Sequence, residues 1–437
     1  MTDLTLHTID HYQVSLKAIN FDPAPVRVAA LALTAIVILI AIFGFIWGLA
    51  NSASLAADQK ELGQLLAELS PSDPQTHFAS AILHEKTFEP DDLTMALAEY
   101  EKAAAISPYN YLVWLELGSA LGRAGETTAA EAALRRARDL APNYARVHWA
   151  LGNLLLRQAG SDEEAYSELR LAIEGDPAFA APAAAIALQM ADGDSKAVQW
   201  RFHDLPHAGA ALAVLLARQK RWEEAAQIWN TVRMGTDDKR LSEAADTLKN
   251  SFFQSGRFRN AAEMAAAKSP GEDAPALEEV TNSGFERPVK TEGAGEFDWR
   301  VAQGNYPQIG VTDGQKRSGR FSLITVFNNS DPKNFRGFSQ VVAVEPGRTY
   351  ELSVPYRADI KAKVPFHWEI VSAGDSKRIA LSEAMIPSNE WTVLTTSFTV
   401  PTDKDGVEIR FVRGDCVAAA CAALGSFWFD DISIAAK

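Results

Sequence analysis

The sequence predicts a multidomain chain: one transmembrane helix, then an all-α solenoid, then an all-β sandwich. Three observations predict it. Residues 28–50 carry no charged side chain; prolines recur near every thirty-fourth position through the first half; and beyond about residue 279 alanine-rich sequence gives way to short alternating apolar and polar runs.

At 437 residues the chain is too long for one ordinary core. Its 56 acidic against 42 basic residues leave a net charge of -14. That argues against a nucleic-acid binder, which needs a basic face to neutralise phosphates, so no nucleic-acid partner is expected.

The first element is the run VAALALTAIVILIAIFGFIWGLA. As a helix it spans about 35 Å, enough for a bilayer core with some tilt. Residues 27–50 are read as an uncleaved membrane anchor with Trp47 at one interface, and 1–26 as a cytoplasmic tail. The competing reading is a cleaved signal peptide, with small residues in NSASLAA facing the peptidase. Lys17 and Arg27 precede the run, while Lys60 follows it beside Asp58 and Glu61. This bias favours the N-terminus inside. The expectation is a single-pass protein of a bacterial inner membrane with its bulk in the periplasm. The only cysteines, Cys416 and Cys421, are then expected to form a local disulfide; two buried thiols are the alternative.

The second element follows from Pro74, Pro108, Pro142 and Pro177, spaced by 34, 34 and 35. Between Pro108 and Pro142, Trp114, Leu117, Gly118 and Leu121 line one helix face. Gly125 breaks that helix, and Ala130, Leu134 and Ala137 line a second. Small Gly118 and Ala130 let the two helices approach. The next unit repeats this with Leu151, Gly152, Leu155, Ala165, Leu169 and Ala172, whereas FEPDD at 88–92 distorts the preceding one. The pattern resembles the tetratricopeptide repeat, which implies a solenoid over 55–268. Arg146, Trp149, Asn153 and Arg157 share one expected helix face and match the family's groove positions, implying a protein partner held there. The competing reading is a solvated polar face with Trp149 packed on a neighbouring helix. His203 and His207, in HDLPH, are read as loop residues rather than a zinc pair.

A linker at 269–278 leads to the third element, 279–437. FSQVVAVEPGRTYELSVPYRA reads as strand, turn, strand, and FHWEIV, WTVLTTSFTVP, VEIRFV and SFWFDDISI as further strands. NSGFE at 282–286, RSGRFSLITV, the VEPGRTYELS hairpin and the closing WFDDISI together resemble the jelly-roll carbohydrate-binding modules of the xylan- and glucan-binding kind. The resemblance implies a jelly roll with a structural calcium near its ends, carried here onto Glu286, Asp430 and Asp431. Oxygen ligands suit calcium. The alternative is that the aspartates end the sheet and accept backbone hydrogen bonds. Glycan binding needs aromatic platforms and polar partners. Trp299, Phe335 and Trp368 are the platform candidates, with Arg336, His367 and Glu369 beside them. Phe338 and Trp391 are also weighed, but the family places a tryptophan like Trp391 in its core. Trp368 alternates with Phe366 and Ile370, so a core Trp368 with His367 and Glu369 facing the cleft is the other option.

No nucleophile elbow, phosphate loop or zinc motif is present, and no length remains for a catalytic domain, so an enzyme is not expected. The reading is a membrane-anchored scaffold or adaptor outside the cytoplasm, in polysaccharide synthesis, export or envelope assembly. The alternatives are a purely protein-protein scaffold with a ligand-free sandwich, and an accessory or degenerate form of a glycan-active enzyme.

Overall fold

A computed structural model describes residues 24–87, 91–158, 160, 162–232, 238–268, 274–328, 335–416 and 421–437. Residues 1–23 of the expected cytoplasmic tail, part of the 88–92 turn and half of the 269–278 linker lie outside these; residues 24–26 of that tail are already helical. The chain divides into two compact units, Met1–Gly175 and Asp176–Lys437. The division falls inside the stretch expected to be one solenoid.

The first unit begins with α1 (Ala24–Ser54), a helix long and apolar enough to cross a membrane. Its last turn packs on α2 (Lys60–Leu69) and α3 (Pro74–Glu85), where Asn51 donates to the Asp73 carboxylate at 2.9 Å. Asp73 also caps α3 by accepting from the Gln75 amide, with Pro74 at the first helical position, where its missing N–H costs nothing. Three antiparallel pairs follow: α3 with α4 (Asp92–Ile106), α5 (Tyr111–Ala124) with α6 (Thr127–Leu140), and α7 (Ala145–Leu155) with α8 (Asp162–Gly175). A Cβ added at Gly118 would stand 2.7 Å from Leu134 Cγ, so only glycine admits α6 this closely. Gly152 plays the same part against Leu169 and the Ala165 carbonyl, at 3.0 Å. Gly125 ends α5 with φ +85°, a conformation that favours glycine.

In the first helix of each pair a ring nitrogen bonds the carbonyl of a proline six residues before it. His77 reaches the Pro71 carbonyl at 3.1 Å, Trp114 that of Pro108 at 3.0 Å, and His148 that of Pro142 at 2.7 Å. The other ring nitrogens of His77 and His148 meet buried Glu99 and Glu168, each at 2.5 Å.

The second unit starts with helices α9 (Ala180–Met190), α10 (Ser195–Arg201), α11 (Pro206–Arg218), α12 (Trp222–Trp229), α13 (Lys239–Gln254) and α14 (Phe258–Lys268). His207 lies in the first turn of α11 and pairs with Asp238 at 2.8 Å, whereas His203 turns to the Trp200 carbonyl. His207 is thus helical, not in a loop as expected, because Pro206 opens α11 immediately before it; His203 lies in the preceding turn.

The β-domain contains β1 (Arg300–Val301), β2 (Gln308–Thr312), β3 (Ser322–Phe327), β4 (Phe338–Ala343), β5 (Thr349–Ala362), β6 (Phe366–Ser372), β7 (Arg378–Leu381), β8 (Ser388–Thr399), β9 (Gly406–Arg413), β10 (Ala423–Phe429) and β11 (Ser433–Ala436). One sheet runs β1-β4-β9-β6-β7. The other runs β11-β5-β10-β3-β2, with β8 also on β5. Strands adjacent in space come from opposite ends of the domain sequence, as β3 and β10 do. One cluster fills the space between the sheets, and aromatic rings dominate it: Trp299, Trp368, Phe338, Phe411, Phe427 and Phe429 are all buried. Cys416 and Cys421 form the disulfide, their Cα atoms 5.3 Å apart.

A seam joins the last helices to this sandwich. Asp405 accepts from the Phe258 and Arg259 amides at 3.0 and 3.2 Å, capping α14 from across the chain. The Phe258 ring lies where any side chain on Gly406 would point. Phe253 packs edge-on against Phe258 and Phe297, and Lys249 pairs with Glu296 at 2.9 Å.

Candidate functional site

Two surfaces gather some of the residues singled out from sequence. The first is a cavity of about 390 Å³ in the first unit, built by α5 and α7. Arg146, Trp149, Asn153 and Arg157 all line it, joined by Glu116 and Arg123, which sequence periodicity did not single out. Arg157 sits just past the end of α7, so the shared face continues through a turn rather than along one helix. Arg146 pairs with Glu116 at 2.7 Å. Burial raises the Glu116 pKa against the pull of Arg146. Arg123 pairs with Glu85, which also accepts from the Tyr100 hydroxyl. Asn153 Oδ1 is buried without a hydrogen-bond partner among the described residues. The wall therefore offers an uncommitted acceptor and a mix of charges, suited to the N–H groups and side chains of a peptide.

The second surface is the outer face of the five-stranded sheet. Alternation along β6 sends Phe366, Trp368 and Ile370 into the core and His367 and Glu369 outward. Register then lays Arg300, Ser339, Arg410, Glu369 and Leu381 in one row across β1, β4, β9, β6 and β7. Glu369 accepts from Arg378 at 2.6 Å, and His367 Nδ1 lies 3.0 Å from the Ser382 carbonyl. Arg410 turns to Glu408 and to Ser376. Arg410 and Arg378 join this surface only through pairing between strands.

Two of the platform expectations need correction. Trp299 is 2% exposed and Trp368 0%, and their rings pack at 6.1 Å within the aromatic core. Neither offers a face to a sugar, because both alternate inward and fill the space between sheets. Phe335 is half-buried at the core's edge, with Arg413 over its ring at 5.2 Å. Arg336 donates to the carbonyls of Pro307 and Gly304 and so braces a loop. Trp391 is only half-buried and lies on the other sheet's outer side, not in the core.

The three carboxylates weighed for calcium converge on one loop, 317–321. Glu286 accepts from the Arg320 and Phe321 amides, Asp430 from those of Arg317 and Ser318, and Asp431 from the Arg317 and Ser318 side chains. Burial raises the pKa of fully enclosed Asp430. Among the described residues, no three acidic, histidine or cysteine side chains come close enough together to hold a metal ion. A calcium ion would have to draw these oxygens inward.

No match was found among curated proteins. Among solved structures, a CBM4 module is 21% identical over 36% of this chain and 99% of its own length, with TM-score 0.29. The CBM22-1 xylan-binding domain of Paenibacillus barcinonensis Xyn10C is 17% identical over 37% and 97%, TM-score 0.25. MamA is 16% identical over 43% and 86%, TM-score 0.28. At these scores the likenesses carry no weight. Residues 278–418 match the family model described as a carbohydrate binding domain. The chain thus carries a carbohydrate-binding module at its C-terminal end, behind a helical region with one candidate membrane helix.

Proposed function

We propose that this protein is a non-catalytic, membrane-anchored adaptor outside the cytoplasm. It holds a protein partner in its helical groove and a polysaccharide on its β-domain, in polysaccharide synthesis, export or envelope assembly. The observation that carries it is the carbohydrate-binding match over residues 278–418, on a chain whose helix Ala24–Ser54 is long and apolar enough to span a bilayer.

In this reading the helical pairs are tetratricopeptide-type repeats, supported by the close approaches at Gly118 and Gly152 and the recurring ring-to-proline bond. The disulfide supports a periplasmic β-domain, since thiols stay reduced in the cytoplasm. Glycan would lie on the outer face of the five-stranded sheet, with His367 and Glu369 fixing hydroxyls. Calcium would sit among Glu286, Asp430 and Asp431.

The test is affinity electrophoresis of the full chain in detergent, through gels holding a panel of polysaccharides, with and without calcium. Retardation by one class, reduced in Glu369→Ala, supports the reading. No retardation by any polymer favours a scaffold that binds proteins alone.

A further inference from the structure

The opposite face of the sandwich is organised too. On β10, Phe427 and Phe429 point into the core, so Trp428 between them points out. Register places Trp428 opposite Arg357 of β5 on one side and Ile324 of β3 on the other. Beyond Ile324 comes Gly310 of β2, where an added Cβ would meet nothing, so the shelf is open on that side. On β8, Thr392 opposes buried Tyr356, which leaves Trp391 facing outward beside Arg357 at the β5–β8 irregularity. The row reads indole, guanidinium, indole. Two strand spacings separate the tryptophans, about 10 Å.

Arg357 differs from most other arginines of the β-domain; Arg320, the other with no side-chain hydrogen bond or ion pair among the described residues, is exposed and lies over its neighbour Phe321. Arg317, Arg348, Arg378 and Arg410 each pair with a carboxylate. Arg300 and Arg336 bind carbonyls. Arg357 is half-buried, and no hydrogen bond or ion pair engages it among the described residues. A partly desolvated guanidinium that pairs with no carboxylate, between two flat apolar rings, is complementary to an anion carried on a ring-shaped apolar framework.

We infer that the row Trp391–Arg357–Trp428 is a second glycan site, on the sheet opposite the one in the proposed cleft, and that it takes an acidic polysaccharide. The pyranose C–H faces stack on Trp391 and Trp428. A uronate carboxylate pairs with Arg357. Asp359, exposed one row along β5, opposes a second anion at that position and so favours polymers in which acidic groups are spaced rather than contiguous. The inference rests on the carbohydrate-binding reading of this domain but uses none of the residues of the five-stranded sheet.

The probes are alginate, polygalacturonate and hyaluronan as uronate polymers, and laminarin as a neutral one. The full chain in detergent is run through gels containing each. At least one uronate polymer is expected to retard the wild type. Arg357→Gln and the double variant Trp391→Ala/Trp428→Ala are expected to weaken that binding about tenfold or more, Glu369→Ala to leave it unchanged, and added salt to weaken it. Trp428→Phe, which keeps a ring, should retain most of it and serves with near-ultraviolet circular dichroism as the folding control. Retardation equal in all variants, or lost only in Glu369→Ala, overturns the proposal. Laminarin binding that depends on Glu369, with no uronate binding, overturns it while leaving the carbohydrate-binding reading intact. No binding to any polymer overturns both.

Discussion

His77 and Glu99 hold each other at 2.5 Å inside the α3–α4 pair, both buried, with Lys102 on the other oxygen of Glu99 at 2.7 Å. Both imidazole nitrogens face oxygen acceptors, an arrangement that only the doubly protonated ring satisfies. The Glu99 hydrogen bond raises the His77 pKa above its usual 6.5. In Glu99 burial pushes upward, but the His77 and Lys102 bonds win and hold the pKa below its usual 4.5. A raised histidine stabilises the fold fully below its unfolded pKa and loses that contribution as pH rises through the folded value. A lowered glutamate does the reverse on the acid side. The first unit should therefore be most stable between about pH 4.5 and 6.5 and should soften above that window. Thermal melts of wild type and His77→Gln across pH 5 to 9 check this. The variant should lose most of the slope on the alkaline side.

The seam between α14 and the sandwich predicts a second effect. Asp405→Ala removes the acceptor for two amides and should cost about 1 kcal/mol, in the range of lost helix caps. Gly406→Val drives a branched side chain into the Phe258 ring and should cost about 1–3 kcal/mol. Hydrogen exchange at the α14 amides is the readout. Faster exchange there in both variants is expected, and unchanged exchange would show that the seam does not hold the helix.

For the groove, Asn153→Ala with Arg157→Ala should lower capture of a protein partner about tenfold while leaving the melting temperature in place, a loss of about 1.4 kcal/mol shared between two contact residues. Both residues line the cavity without bracing its walls: Arg157 is exposed and Asn153 Oδ1 has no partner to lose. Equal recovery in cross-linked pull-downs from wild type and variant would argue against the groove.

Reduction of Cys416–Cys421 should lower the stability of the β-domain by about 2 kcal/mol, the loop-closure value for so short a ring. Mass spectrometry of protein isolated from membranes supplies the compartment test. Two free thiols there would remove the disulfide's support for a periplasmic location.

Calcium should raise the melting temperature of the β-domain through preferential binding to the folded state, and Asp430→Asn should abolish the rise. Superimposable melts with calcium and with chelator would leave Glu286, Asp430 and Asp431 as hydrogen-bond acceptors for loop 317–321 alone.

What the sequence conveyed follows the reach of its signals. The helix-to-strand change and the small residues at Gly118 and Gly152 are local patterns, and the structure shows what each permits sterically. Alternation along FHWEIV separated Trp368 from His367 and Glu369, yet which set faced the core depended on the opposing sheet. Arg410 lies opposite Glu369, and Arg357 opposite Trp428, only through strand pairing between distant segments. Asp405 caps a helix 147 residues before it, a relationship no window of sequence contains.

That cap has a mechanical consequence. Tension applied to the β-domain pulls on a body fused to α13 and α14 by Asp405, Phe258 and the Lys249–Glu296 pair. Load on the sandwich passes directly into the helices instead of being absorbed by swinging.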